Sequence, residues 1–209
     1  MTLPRLYAVL DAGVADRHGW TVADLGKAFL DGGARLLQFR AKDLDSGAFL
    51  AAADSLTAAA RSYDARVIIN DRADVARLAG AAGVHVGQHD LAPAAVRRVL
   101  GDTALVGLST HTEAQIEAAA RERIDYMAIG PVFGTTTKHT GYHALGLDRV
   151  RGAAACSPHP LVAIGGITLE TARDVVESGA QAVAVISDLL AGGDPAARVR
   201  DYLQRLGGW

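Results

Sequence analysis

The 209-residue chain has a single cysteine, Cys156, and only three lysines among its 21 basic residues. One cysteine excludes a disulfide within the chain and a zinc site built on several thiolates. A formal net charge of −2 offers no dense basic face to a nucleic acid. No apolar run reaches the roughly 20 residues that a membrane span needs, and the first residues contain no separate apolar signal region. We therefore expect a cytoplasmic protein without nucleic-acid or membrane partners.

Half of the residues are hydrophobic and 21 % are charged, which is typical of a globular protein. The length suits one sizeable core, so we expect residues 1–209 to form a single domain. The sequence does not determine the oligomeric state.

Eight short apolar runs recur along the chain, with amphipathic segments between them. The runs cover residues 6–10, 36–39, 67–69, 84–86, 104–108, 126–129, 161–164 and 182–186. Several are apolar almost throughout, which is typical of strands that are buried on both faces of a parallel sheet. Eight strand–helix units predict an α/β fold with a single (β/α)8 TIM barrel, and an open doubly wound sheet is the alternative.

The intervening segments carry the start signals of helices. Thr21 with Asp24, and Thr112 with Gln115, fit N-cap pairs that satisfy free backbone N–H groups. Asp194-Pro195 fits a cap followed by proline at the first helical position. In such a barrel the chemistry takes place where strands end and the following loops begin, so polar residues at those places are the candidate site.

The second apolar run ends in alternating polar residues, Gln38, Arg40 and Lys42. Residues two apart on a strand point to the same face, so these side chains can converge. Two cations at a barrel mouth are costly without an anion, and an arginine fork with a lysine point charge suits phosphate oxygens. In the alternative interpretation the strand ends at Phe39 and the charges are solvated.

Two aspartates, Asp71 and Asp90, follow the third and fourth runs. Two carboxylates at neighbouring strand ends, completed by water and a substrate phosphate, suit Mg²⁺. The alternative is that each aspartate caps the helix that follows it. We interpret His85 as a hydrogen-bonded core residue, and His89 and His111 as exposed.

Further donors follow the later strands. Ser109 ends the fifth strand with its hydroxyl available to a ligand, and the loop Thr135, Thr136, Thr137 and Lys138 is typical of an anion clamp. Gly165 and Gly166 follow the seventh strand, and Ser187 follows the eighth. Loops at these two positions commonly hold a phosphate on backbone N–H groups.

Together these segments resemble one family, the thiamine-phosphate synthases. The matching motifs, in the family's order, are QFRAK (38–42), INDR (69–72), GVHVGQHD (83–90), GLSTHT (107–112), GPVFGTTTK (130–138), AIGGI (163–167) and VIS (185–187). The family fold is a (β/α)8 barrel. The resemblance implies a transferase that joins hydroxymethylpyrimidine diphosphate to a thiazole phosphate, often in its carboxylated form, giving thiamine phosphate and diphosphate.

The resemblance also implies a division of roles. The pyrimidine diphosphate would be held by Gln38, Arg40, Lys42, Asn70, Ser109 and Lys138. Of these, Arg40, Lys42, Ser109 and Lys138 would be catalytic, because they meet the departing diphosphate. Mg²⁺ would be the cofactor, bound by Asp71 and Asp90. The thiazole phosphate would be held by Thr135, Thr136, Thr137, Gly165 or Gly166, Ile186 and Ser187. The family's route is dissociative and needs no protein base.

The chain departs from the family pattern at His89 and in residues 139–143. The nearest rival function is a thiazole tautomerase of the same superfamily, which needs neither diphosphate nor metal. A rival of another class is a phosphate-ligand sensor that keeps the barrel without catalysis. The set of Gln38, Arg40 and Lys42, together with the aspartate pair, favours the synthase, because a tautomerase has no use for groups that hold a diphosphate.

Overall fold

Eight parallel strands close into a barrel in the computed structural model, which describes residues 2–135 and 141–207. The strands are β1 (Leu6–Asp11), β2 (Leu36–Arg40), β3 (Arg66–Asn70), β4 (Gly83–Val86), β5 (Leu105–Thr110), β6 (Tyr126–Ile129), β7 (Leu161–Ile164) and β8 (Ala182–Val185). Each strand pairs with the next, and β8 closes the sheet against β1 through the Leu6–Val183 and Ala8–Val185 pairs. This closure confirms the predicted (β/α)8 TIM barrel and excludes the open sheet.

Helices surround the barrel, and three of them begin at the predicted caps. They are α1 (Ala12–Arg17), α2 (Val22–Asp31), α3 (Ser46–Arg61), α4 (Ala73–Leu78), α5 (Pro93–Leu100), α6 (Glu113–Ala119), α7 (Gly146–Cys156), α8 (Ala172–Glu177) and α9 (Pro195–Arg205), with a 3₁₀ turn at Ser187–Leu190. Thr21, Thr112 and Asp194 each accept a hydrogen bond from the backbone N–H three residues on, at 3.1, 3.3 and 2.9 Å. The three N-caps are thus confirmed. None of the helices in the described ranges is both long and apolar enough to cross a bilayer.

Neighbouring residues of each strand enter two different cores. On β1, Tyr7 and Val9 belong to the cluster inside the barrel, while Leu6, Ala8 and Leu10 belong to the layer between sheet and helices. Both faces of every strand are therefore buried, as in other (β/α)8 barrels. This explains why several of the strands are apolar over most of their length, with polar residues mainly toward their carboxyl ends.

Candidate active site

The carboxyl ends of the strands surround a pocket that most of the predicted site residues line. Those in its wall are Gln38, Arg40, Lys42, Asn70, Asp71, Asp90, Ser109, Thr135, Gly165 and Ile186. Gly166 and Ser187 do not belong to this wall. Thr136, Thr137 and Lys138 lie outside the described residues. We call this space the mouth pocket.

Two cations, Arg40 and Lys42, each form an ion pair with a carboxylate in the pocket wall. The strand β2 continues through Arg40, so the interpretation that it ends at Phe39 is wrong. Arg40 Nη1 donates to Asp11 Oδ2, and Lys42 Nζ donates to Asp71 Oδ2. The alternation along β2 thus directs the amide of Gln38 and the guanidinium of Arg40 into one pocket, and Lys42, two residues beyond the end of β2, lines the same wall.

Asp11 is a residue of the site that sequence reasoning missed. It is the last residue of β1, and its Oδ1 accepts a hydrogen bond from Val14 N at 2.9 Å, which caps α1. Its Oδ2 accepts from Arg40. One carboxylate therefore fixes both the start of a helix and the direction of the guanidinium. The available signal was an acid at the end of the first apolar run, directly before a helix.

Neither of the paired aspartates caps a helix. The N-cap residues of α4 and α5 are Arg72 and Ala92, and neither makes a side-chain cap bond. The cap interpretation of Asp71 and Asp90 is therefore wrong. Asp90 Oδ2 instead accepts from Gly87 N at 2.8 Å, within its own loop.

Asp71 has an unfavourable backbone conformation. Its φ of 63° lies in the left-handed region, which costs a non-glycine residue on the order of 1 kcal/mol or more. Its N–H donates to His85 O at 2.8 Å, so the chain holds this conformation by pairing with the next strand. Strained residues of this kind occur preferentially at ligand sites.

The two carboxylates influence each other electrostatically. Burial raises the pKa of Asp90 above its usual value, and the neighbouring Asp71 carboxylate adds to the rise. The hydrogen bond from Gly87 N–H and the positive charge of Lys42 oppose this rise in part. Because the charge of Asp71 disfavours the ionised form of Asp90, a positive ion bound at this pair of carboxylates would be stabilised.

The donor set limits which metal could bind at these aspartates. Within residues 2–135 and 141–207, no group of three or more His, Cys, Asp or Glu side chains could hold a metal ion. Two carboxylates, with the remaining ligands from water and phosphate, are the usual protein contribution to a Mg²⁺ site. The residues therefore fit magnesium and do not fit a site made wholly of protein ligands.

A row of hydrogen bonds crosses the barrel interior below the pocket. Gln38 Nε2 donates to Tyr7 OH at 3.0 Å, and Tyr7 OH is 2.9 Å from Tyr126 OH. His85 Nδ1 is 3.1 Å from Tyr126 OH, and His85 Nε2 is 2.8 Å from Ser109 Oγ. We call these five residues the interior relay. His85 is a buried, hydrogen-bonded residue, which confirms its interpretation, yet it also lines the mouth pocket.

His111 is half-buried in the pocket wall, so the expectation that it is exposed is wrong. Its ring stacks on Tyr142 with centroids 4.2 Å apart, and its Nδ1 is 2.5 Å from Gly130 O. Tyr142 belongs to the segment 139–143, in which the chain departs from the family pattern. The stack joins the loop after β5 to the loop after β6, a contact between distant segments that spacing alone does not indicate.

The two glycines after β7 have different surroundings. Gly165 lines the pocket, with a φ of 104°. A Cβ on Gly166 would lie 2.4 Å from Gly134 O and 2.9 Å from Phe133 Cβ, at a φ of 63°. A Cβ on Gly165 would likewise lie 2.5 Å from Pro131 Cβ. Both glycines therefore permit the segments after β6 and β7 to approach each other, and only Gly165 of the two also lines the pocket.

Comparisons with known proteins agree on one family. A family model described as thiamine monophosphate synthase matches residues 6–189. A thiamine-phosphate synthase of Koribacter versatilis is 43 % identical over 99 % of this chain and 97 % of its own length. One from Thermus thermophilus is 40 % identical over 99 % and 98 %.

Solved structures agree with the sequence relatives. The structure of a Pyrococcus furiosus thiamine phosphate pyrophosphorylase superposes with a TM-score of 0.87 at 26 % identity, covering 97 % of this chain and 96 % of that one. A tryptophan synthase α-subunit from the same organism reaches a TM-score of 0.71 at only 12 % identity, which reflects the shared fold alone.

Proposed function

The chain belongs to the thiamine monophosphate synthase family, and from this premise we propose how its mouth pocket divides between two substrates. It is a transferase that makes thiamine phosphate. In the proposed reaction, hydroxymethylpyrimidine diphosphate loses diphosphate and the thiazole nitrogen of a thiazole phosphate takes its place. The observation that carries the proposal is the meeting of two cations, Arg40 and Lys42, and three carboxylates, Asp11, Asp71 and Asp90, in one pocket wall.

The diphosphate half of the pocket would be formed by Gln38, Arg40, Lys42, Asn70, Ser109 and Lys138. Arg40 can offer two parallel N–H groups and Lys42 a compact charge, which together suit the oxygens of a diphosphate. As the C–O bond breaks, its electron pair goes to the leaving diphosphate, whose negative charge grows. Fixed positive groups that meet this growing charge lower the barrier.

Asp71 and Asp90 would hold Mg²⁺ at the edge of this half-site. When bound, the ion supplies positive charge to the diphosphate oxygens. The ion pair between Lys42 and Asp71 supports this assignment, because Asp71 already faces a positive charge in the structure. Asp90 lies in the same wall, where the charge of Asp71 contributes to a raised pKa of Asp90.

The breaking of the C–O bond would leave a cation on the pyrimidine methylene carbon. The amino group of the pyrimidine can stabilise this charge, so the proposed route is dissociative. The thiazole nitrogen is a neutral nucleophile and needs no protein base, so orientation is the chief task of the protein. Val9, Ala128, Val162 and Ala184 form an apolar part of the pocket, which disfavours water as a competing nucleophile.

The thiazole phosphate half would be formed by Thr135, Thr136, Thr137, Gly165, Gly166, Ile186 and Ser187. Gly165 lines the pocket and would contact the phosphate through its backbone. Gly166 would act indirectly: it lets the segment after β6, which leads into the threonines, pack against the segment after β7.

We expect Gly166→Ala to raise the KM for thiazole phosphate more than the KM for the pyrimidine diphosphate. The added Cβ pushes on Gly134 O and must adopt a φ that costs a side chain about 1–2 kcal/mol. Gly179→Ala is the matched control, since it has a positive φ of 104° and a Cβ clash with Ala154 away from the pocket wall. The control should lose stability without a change in either KM. Equal KM values in wild type and Gly166→Ala would contradict the assignment.

The direct test of the proposed function is turnover with both substrates together and with each alone. We expect thiamine phosphate and diphosphate to form in equal amounts only when both substrates and Mg²⁺ are present. Isomerisation of a thiazole phosphate without the pyrimidine would instead indicate a tautomerase. Binding of either substrate without turnover would indicate a sensor. Comparing carboxylated and uncarboxylated thiazole phosphate in the same assay identifies the accepted form.

A further inference from the structure

The interior relay has a direction that follows from counting protons. Each phenol carries one proton, and a neutral imidazole carries one N–H and one acceptor nitrogen. Since Gln38 donates to Tyr7 OH, satisfying every buried group requires Tyr7 to donate to Tyr126 and Tyr126 to donate to His85 Nδ1. His85 then carries its proton on Nε2 and donates it to Ser109 Oγ. The hydroxyl proton of Ser109 is thereby left for the pocket.

The surroundings of the two tyrosines preserve this order. Tyr7 and Tyr126 are both fully buried, and their rings meet edge to face with centroids 5.8 Å apart. Burial raises the pKa of the Tyr7 phenol and raises that of Tyr126 well above its usual value, so both groups keep their protons. The ring of His85 stacks on that of Tyr126, with centroids 5.6 Å apart.

Gly107 of β5 leaves the space that the ring of Tyr126, the central residue of the relay, occupies. A Cβ on Gly107 would lie 2.1 Å from Cζ of Tyr126 and 2.3 Å from its hydroxyl oxygen. Any residue other than glycine would force the phenol away from its two partners. The relay thus depends on a glycine that neither turn geometry nor backbone conformation requires.

We propose that Tyr7, Tyr126 and His85 are positioning residues that fix the Nε2–H tautomer of His85 and thereby make Ser109 a permanent hydrogen-bond donor toward the pocket. Without the relay, the hydroxyl of Ser109 could donate its hydrogen bond to the imidazole of His85. It would then present only its oxygen lone pairs to the pocket. A donor fits the acceptor oxygens of a diphosphate, and lone pairs would repel them. The choice of ligand rests on the proposed function, whereas the tautomer does not.

The first experiment reads the tautomer without any substrate. In ¹⁵N NMR spectra of histidine-labelled protein, we expect His85 to show a protonated Nε2 and an unprotonated Nδ1, with its signals assigned by their loss in His85→Gln. Tyr126→Phe should give a mixture of tautomers, because the donor to Nδ1 is gone. A wild-type His85 protonated on Nδ1 would reverse the relay and overturn the proposal.

The second experiment asks whether Tyr126 acts through Ser109. We expect Tyr126→Phe to lower kcat/KM for the pyrimidine diphosphate about 3- to 10-fold, the worth of one neutral hydrogen bond, with the KM for thiazole phosphate unchanged. In a Ser109→Ala background the same substitution should have no further effect. An equal loss in both backgrounds would mean a structural role only and would overturn the proposal.

Two further variants complete this experiment. Tyr7→Phe removes the preceding donor and should reproduce the effect of Tyr126→Phe, so the test stands even if one of the two proteins folds poorly. Tyr202→Phe is the matched control, because this buried phenol donates to Asp188 at 2.6 Å, outside the relay. It should lower stability and leave kcat/KM unchanged. A wild-type protein that shows the Nε2–H tautomer but no turnover would contradict the proposed function and leave the tautomer assignment standing.

Discussion

Replacing Asp71 or Asp90 with asparagine is expected to raise the Mg²⁺ concentration for half-maximal turnover by at least about 100-fold. Removing even an outer partner of a metal ligand commonly costs 10- to 100-fold in affinity, so losing a ligating charge should cost at least the upper figure. Asparagine keeps the shape of the side chain, and excess Mg²⁺ should restore part of the activity. The measurement is turnover of both substrates against Mg²⁺ concentration for the wild type and the two variants.

The two aspartates should differ in one respect. Asp71 also holds Lys42, so Asp71→Asn releases a cation that we assign to the diphosphate. We therefore expect a changed KM for the pyrimidine diphosphate at saturating Mg²⁺ in Asp71→Asn and a smaller change in Asp90→Asn. This difference separates the role of Asp71 toward the metal from its role toward Lys42.

A third aspartate provides the control for this experiment. Asp45 caps α3 by accepting from Ala48 N at 2.8 Å, and asparagine caps a helix about as well as aspartate. Asp45→Asn should therefore leave the Mg²⁺ curve unchanged. If the curves of Asp71→Asn and Asp90→Asn also superimpose on that of the wild type, the metal site is rejected. Turnover by the wild type without metal would undermine the proposed mechanism itself.

The fold could be predicted from sequence because its signals are local. Strands buried on both faces produce short continuous apolar runs, and helix starts are set by side chains only three residues from the N–H groups that they cap. The convergence of Gln38 and Arg40 was also predictable, since a strand's alternation fixes which residues share a face. Lys42 lines the same pocket from two residues beyond the end of the strand. The ends of the strands were less predictable: β2 and β5 extend to Arg40 and Thr110, beyond the apolar runs.

The partners of these residues could not be predicted in the same way. Arg40 meets Asp11 across 29 positions, and Tyr7 meets Tyr126 across 119. Such pairs depend on the register and closure of the whole barrel, which no short pattern contains. The contact of Gly166 with the loop after β6 is of the same kind. The sequence indicated most of the polar residues at the strand ends, but it did not indicate Asp11 or the tyrosines that hold them in place.

Arg40→Ala is expected to lower kcat about 10²- to 10³-fold, the usual cost of removing one preorganised donor from a developing negative charge. It should also lower the free energy of unfolding by about 2–3 kcal/mol. The side chains of Arg40 and Asp11 are only 17 % and 9 % exposed, so the substitution leaves a nearly buried carboxylate without its partner. Denaturant unfolding and steady-state kinetics with both substrates measure the two effects separately.

Two further variants decide whether the loss of activity is specific. Arg40→Lys keeps the charge but loses the planar fork, so we expect a kcat between those of the wild type and Arg40→Ala. Arg97→Ala breaks a comparably buried ion pair, with Asp125 at 2.6 Å, and Arg97 also binds the backbone just before β5, at the amino end of the strands. It should lose stability while retaining kcat. If Arg97→Ala loses as much kcat as Arg40→Ala, the effect of Arg40 is general destabilisation, and the guanidinium has no special role at the diphosphate.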